Sequence, residues 1–254
     1  MGYREVDRYI LRSDWSNGYK NNVGNAYADW VKFKGFEYTP RKYKKEEKLP
    51  YVPTERDIDQ LISGTGSKLS TFLQLLKESA FRPIEAMGLT PDDFDLNQRL
   101  CYLNKPAKGS NPRVLRISEK LTAMITRYTK KTPRGSRIWS GRLEHLRRNY
   151  EMKRRSLAEK LQNPNLLKIS FRTFRHWKAT IEYHRTKDIL HVERMLGNKN
   201  IQNTLIYTHL VDLGEEDGYI SNVAANTEDA QSLIECRFEY ITTFNDMMIF
   251  RIRK

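Results

Sequence analysis

The stretch Phe171-Arg172-Thr173-Phe174-Arg175-His176-Trp177 constrains this chain more than any other. It reads as helix, so Arg172 and Arg175, three positions apart, leave from one face. Two cations side by side there cost roughly 0.2–0.5 kcal/mol, a penalty that vanishes when the face meets an anion. A planar guanidinium is the side chain best shaped to grip phosphate oxygens with paired hydrogen bonds. Downstream come Leu196-Gly197-Asn198 and then Thr204-Leu205-Ile206-Tyr207. A tyrosine following such a cradle can act as a nucleophile toward phosphorus, and the pattern points to DNA strand breakage through a phosphotyrosine.

The bulk chemistry agrees with a polyanionic partner. The chain has 254 residues, a formal charge of +14 and a pI near 9.7. Such an excess favours nucleic acid first and an anionic membrane surface second, with a merely solvated surface as the bland alternative. A hydrophobic content of 39% is enough to build a core, which argues against wholesale disorder. No apolar run approaches the length of a membrane span, and the first residues lack the apolar core of a signal peptide. Cys101 and Cys236 are isolated and read as reduced thiols, so a cytoplasmic, nucleoid-associated protein is expected. The histidines show no metal-ligand spacing, and Asp92, Asp93 and Asp95 read as solvated turn residues, so neither metal nor other cofactor is expected.

Residues 1–48 read as a short helical DNA-clamp segment and linker, and 49–254 as the catalytic domain with a helix-hairpin tail over 211–254. Tyr19, Val23, Ala26, Tyr27, Trp30 and Val31 follow helical spacing up to Gly35. Thr39 to Pro50 is a charged, proline-bracketed linker whose Arg41, Lys42, Lys44 and Lys45 could lie along a phosphate backbone. Thr54 caps a helix, a second helix runs from Leu69 toward Phe81-Arg82-Pro83, and Arg99–Ala107 and Arg113–Ile117 pair around a turn at Gly109. The stretch from Arg127 to Lys160 is densely basic and ends as a helix carrying Arg147, Arg148, Arg154 and Arg155, expected to face DNA. The fold class is therefore mainly α with a small antiparallel β-sheet.

Five segments in order carry a resemblance. They are Ala80-Phe81-Arg82-Pro83-Ile84-Glu85, the turn Lys105 to Arg113 bearing Lys108, Phe171 to Thr180, Leu196-Gly197-Asn198, and Thr204 to Tyr207. Together they resemble the tyrosine recombinase, or phage integrase, family, with an archaeal-integrase flavour. The resemblance implies that Arg82 and Arg175 bind the two non-bridging oxygens of the scissile phosphate and that Tyr207 attacks it. Lys108, on a mobile hairpin tip, would protonate the leaving 5′ oxygen, while Glu85 and His176 buttress the arginines. It also implies double-stranded DNA as partner, two protomers on each core site and four in the synapse.

Two positions depart from the family pattern. Arg172 stands where a histidine is usual, and Asn198 where a histidine or tryptophan follows Leu-Gly. Arginine is a poor proton acceptor and an amide cannot exchange a proton, so slower cleavage is expected. A catalytically silent DNA-binding relative and a type IB topoisomerase stay open as rivals.

Overall fold

Several helix starts in this chain are fixed by hydroxyl and carboxylate side chains that take up orphan N–H groups. Thr54 Oγ1 accepts from the Asp57 amide at 3.2 Å, Ser118 Oγ from Leu121 at 3.1 Å, and Asp188 Oδ1 from Leu190 and His191. In the structure, a computed structural model that describes residues 3–44, 49–130, 132–210 and 219–253, the chain forms two compact units, Met1–Leu49 and Pro50–Lys254. Lys45, Lys48 and Lys131, and the start of the tail at 211–218, lie outside the described residues.

The first unit holds α1 (Tyr3–Arg12) and α2 (Asn17–Phe33). Helix α1 was not expected from sequence; Ile10 is its one deeply buried apolar side chain among the described residues. The stretch read as a free linker folds back on α2. Asn21 donates to the Tyr43 carbonyl at 2.7 Å and accepts from its amide at 2.9 Å, while Asn17 donates to the Lys44 carbonyl at 2.8 Å. Asn25 accepts from Lys42 at 3.0 Å, so asparagines one helical turn apart hold residues 42–44.

In the second unit, α3 (Glu55–Ser63) leads into α4 (Ser67–Ser79), which is buried on nearly every side. Its buried hydroxyls are satisfied internally, Thr71 by the Ser67 carbonyl and Ser79 by the Leu75 carbonyl, as burial requires. Against α4 pack α5 (Pro83–Gly88), α6 (Glu119–Thr129) and α8 (Phe171–Thr186), while α7 (Leu143–Lys160) and α9 (Ile189–Leu196) join the same core. The short α10 (Gln202–Leu205), which meets α9, tightens into a 3₁₀ turn at Ile206–His209. Phe72 of α4 meets Trp139 and Phe171 edge-on, with ring centres 5.4 and 5.3 Å apart, and Tyr150 stacks on Phe171 at 4.6 Å. Each such aromatic pair adds about 0.5–1.5 kcal/mol beyond the area it buries.

A three-stranded antiparallel sheet, β1 (Phe94–Asp95), β2 (Leu100–Leu103) and β3 (Arg113–Arg116), flanks these helices with β2 central. Cys101 and Leu103 of β2 turn inward. The tail adds a second sheet: β4 (Tyr219–Ala224), β5 (Glu239–Phe244) and β6 (Met247–Arg253), ordered β4-β6-β5, with α11 (Thr227–Glu235). The hairpin of β5 and β6 and the helix match the sequence reading; β4 was not foreseen. This sheet has its own small core around Ala224, Ala230 and Phe250. No described helix is long and apolar enough to cross a membrane.

Candidate active site

The site is assembled where α4 ends. Ala80 takes a left-handed conformation (φ 53°) as the C-cap of α4, which exposes its carbonyl sideways and turns the chain toward Arg82. Such a backbone costs a residue with a Cβ roughly 1–2 kcal/mol. The turned-out carbonyl is used: Arg175 Nη1 donates to it at 2.8 Å. Arg175 Nη2 donates to the Leu196 carbonyl at 2.9 Å and to Asn198 Oδ1 at 3.0 Å. A buried guanidinium on α8 is thus fixed from the ends of α4 and α9 at once. Burial, then the neighbouring charge of Arg82, brings its pKa down to about 10, and it remains charged at neutral pH.

Arg82 immediately precedes α5, with Pro83 at the first helical position. Its Nη1 donates to Glu85 Oε1 at 2.9 Å and to Ser110 Oγ at 2.5 Å. Glu85, with a fully buried side chain, also accepts from the Arg82 and Ala107 amides and from Arg113 Nη2 at 2.8 Å. Burial pushes the Glu85 carboxyl up, but Arg113 and the Arg82 hydrogen bonds outweigh it and hold it below its ordinary range. A carboxylate that accepts so many donors orients arginine and is no base.

Arg113 and Ser110 were not assigned roles from sequence, and nothing in their local pattern sets them apart. The Arg113 side chain is 5% exposed, lies over the Phe81 ring at 4.9 Å, and binds Glu85. It also explains Gly197, whose φ is +66° and where a Cβ would stand 2.6 Å from Arg113 Nη1 and 2.9 Å from the Asn111 carbonyl. Only glycine fits both the dihedral and the gap.

Lys108 is exposed, with φ 55°, on the β2–β3 hairpin. The expected mobile tip is tethered on both sides of it. Ala107 binds Glu85, Ser110 binds Arg82, and the Asn111 amide donates to the Gly197 carbonyl at 3.0 Å. Those anchors limit where the Lys108 amine can travel.

Tyr207 is 3% exposed on the 3₁₀ turn, and its hydroxyl lies 3.1 Å from His176 Nδ1. Burial raises the phenol pKa, opposed by the positive charges of Arg175, Arg172 and Arg82. Those three arginines therefore act on one hydroxyl within a single chain. Arg172 itself is exposed on the first turn of α8. His176 is driven down to about 4, by burial first and then by Arg172 and Arg175. Asn198 donates through Nδ2 to Thr204 Oγ1 at 3.0 Å, so its amide braces Arg175 against α10.

The basic residues expected to contact DNA divide. Arg147, Arg148 and Arg155 of α7 are exposed. Arg154 is partly buried, donates to the Ile169 carbonyl at 2.6 Å and lies over the Tyr150 ring. In the first unit Arg41 and Lys44 are exposed, Arg41 over the Tyr43 ring, and Lys42 is exposed but held by Asn25. Lys45 lies outside the described residues. Among the described residues no group of three or more His, Cys, Asp or Glu side chains is arranged to hold a metal ion.

Residues 54–213 match the family model described as the phage integrase family. Among curated proteins the chain is similar to tyrosine recombinase XerA of Saccharolobus solfataricus, 22% identical over 185 residues that make up 73% of this chain and 60% of that one. It is likewise similar to tyrosine recombinase XerA of Pyrococcus horikoshii, 25% identical over 215 residues, 78% of this chain and 72% of the relative. The chain thus spans about three-fifths of the length of the former. Among solved structures it superposes on the Tn1549 transposon integrase in complex with transposon right end DNA at a TM-score of 0.66 and 13% identity, covering 92% of this chain and 84% of that one. The XerA recombinase crystal structure follows at 0.55 and 17%, covering 93% and 82%.

Proposed function

Since the chain belongs to the phage integrase family, we propose that it is a site-specific DNA recombinase that cuts and rejoins strands through a covalent 3′-phosphotyrosine on Tyr207. The observation that carries this reading is the buried Tyr207 hydroxyl meeting α8 at His176, 3.1 Å away and next in sequence to the anchored Arg175. There the charges of Arg175, Arg172 and Arg82 all oppose the burial that raises the phenol pKa. In-line displacement at a phosphodiester gathers negative charge on the phosphoryl oxygens, and preorganised cations stabilise it most when they need no reorganisation. Arg175, fixed by three acceptors, and Arg82, fixed by Glu85 and Ser110, meet that requirement. Lys108 protonates the leaving 5′ oxygen from its tethered hairpin. A 5′ hydroxyl from another strand reverses the step, and the ester conserves the bond energy, so the cycle consumes no nucleotide.

Double-stranded DNA is the substrate, engaged by the exposed arginines of α7 and by the first unit acting as a clamp. Two protomers occupy each core site and four make the synapse. A silent DNA-binding relative is the second reading, favoured by Arg172 and Asn198, since neither is a proton acceptor. Incubation with fragmented genomic DNA of the source organism, followed by denaturation and sequencing of protein-linked ends, separates the two. Recombination chemistry gives discrete linked ends that vanish in Tyr207→Phe; a silent relative gives none.

A further inference from the structure

We propose that His176 is a catalytic residue, the acceptor of the Tyr207 proton during strand cleavage, a role that rests on the recombinase reading above. Its Nδ1 is 3.1 Å from the phenol oxygen, within reach for direct transfer. Tyr207 is buried, which keeps bulk water from serving as the acceptor.

Other nearby groups are unsuited. Arg172 stands one helical turn before His176, and a guanidinium does not accept protons at neutral pH. The Asn198 amide is occupied on both sides, accepting from Arg175 and donating to Thr204. Glu85 is saturated by Arg82, Arg113 and the Ala107 amide. Glu182, the other buried carboxylate near this end of the fold, is held by Lys178, Arg185 and His191. Among the described residues, His176 alone is hydrogen-bonded to the Tyr207 hydroxyl.

The electrostatics add a substrate-gated element. In the free protein, burial and the charges of Arg172 and Arg175 keep His176 neutral, with the Nδ1 lone pair free to accept when its own proton sits on Nε2. A phosphate seated on those arginines offsets their field and makes the imidazole a stronger base. Basicity then rises only when there is a phosphorus to attack.

The step balances as follows. The Tyr207 oxygen bonds to phosphorus as the bond from phosphorus to the 5′ oxygen breaks. The phenol proton passes to His176 Nδ1, and the Lys108 ammonium protonates the departing 5′ oxygen. Rejoining runs the same transfers backward, with His176 returning its proton to the phenol.

The test is single-turnover cleavage of a duplex carrying a mapped target sequence, made with either an ordinary phosphodiester or a 5′-bridging phosphorothiolate at the scissile position. The sulfur leaving group needs no proton, so it bypasses Lys108 but not the acceptor for Tyr207. His176→Gln, whose amide can hydrogen-bond but not take a proton, is expected to cleave about 10²-fold or more slowly. Its DNA affinity should be unchanged, and the phosphorothiolate should give no rescue. Lys108→Ala should be rescued. His176→Gln cleaving at the wild-type rate, or recovering on the sulfur substrate, overturns the proposal. Should the variant fail to fold, the wild type on the phosphorothiolate decides. A normal solvent deuterium effect supports proton transfer from Tyr207 in the rate-limiting step, and its absence overturns it. Absence of any wild-type adduct would instead defeat the recombinase reading itself.

Discussion

The arginines around Tyr207 and the arginines of α7 carry the same charge and are held in opposite ways. Arg175 is buried and bound to two main-chain carbonyls and an amide, and Arg113 is sealed between Glu85, Phe81 and Gly197. Arg147, Arg148 and Arg155 stand exposed on their helix. Immobilised charge suits a transition state, where geometry fixes the gain. Mobile charge suits a long polyanion, where displaced counterions supply affinity with little demand on position. The two regions should therefore fail differently when altered.

The largest contrast is in cleavage. Arg82→Ala should slow single-turnover cleavage by about 10²–10³ at saturating DNA, measured by adduct formation on a suicide duplex. Neutralising Arg147, Arg148 and Arg155 together to Gln should leave that rate within about threefold. In filter or anisotropy binding, the same triple variant should instead flatten the dependence of log affinity on log salt by roughly 2–3, at about 0.9 for each phosphate no longer neutralised. Equal effects of both changes on rate would erase the distinction drawn between them.

Stability should separate the same regions. Arg175→Ala strips the Ala80 and Leu196 carbonyls of their buried donor, at about 1–3 kcal/mol for each group left unpaired. The α7 triple variant should melt close to the wild type. Arg154→Gln, which removes one of the two side-chain donors to the Ile169 carbonyl, should lower the melting temperature without touching the salt slope. Gly197→Ala should cost about 1–3 kcal/mol, because both its backbone and its neighbours refuse a Cβ. A Gly197→Ala protein that melts like the wild type would show that the Arg113 packing is loose.

The last contrast is in acid. His176 has a lowered pKa, near 4 when folded against 6.5 for the free side chain, so the unfolded chain binds its proton first. Its contribution is complete above pH about 6.5 and is lost as the pH falls toward 4. Glu182, lowered to about 2, contributes above its ordinary range and is lost as the pH falls toward that value. Urea titrations should show His176→Gln narrowing its gap to the wild type as pH falls from about 7 to about 4. A constant gap contradicts the buried neutral imidazole.

What could be read in the sequence follows from how local each signal is. The helix starts at Thr54 and Ser118, the hairpin flanking Lys108 and the helix carrying Arg175 depend on residues a few positions apart and are where the spacing puts them, except that the first hairpin strand ends at Leu103, short of the expected Ala107. The fold-back of residues 42–44 was legible in principle, since Asn17, Asn21 and Asn25 repeat once per turn of α2. Strand β4 was not, because its partner is β6, far along the chain. Arg113 looked like any basic residue closing a hairpin; its worth depends on Glu85 and Gly197 arriving from elsewhere. The pairing of His176 with Tyr207 likewise needs the turn from α10 into the 3₁₀ segment, which no spacing rule supplies. Arg154, counted toward DNA from its charge, also has an internal partner in the Ile169 carbonyl, a contact that charge alone does not reveal.

The covalent attachment itself decides whether Tyr207 is the nucleophile. Protein trapped on a target-bearing suicide duplex, digested with nuclease and protease, should yield in mass spectrometry one peptide bearing a nucleotide 3′-phosphate on Tyr207. A nucleotide found on any other residue, or an unmodified Tyr207 peptide beside efficiently cut DNA, would contradict it.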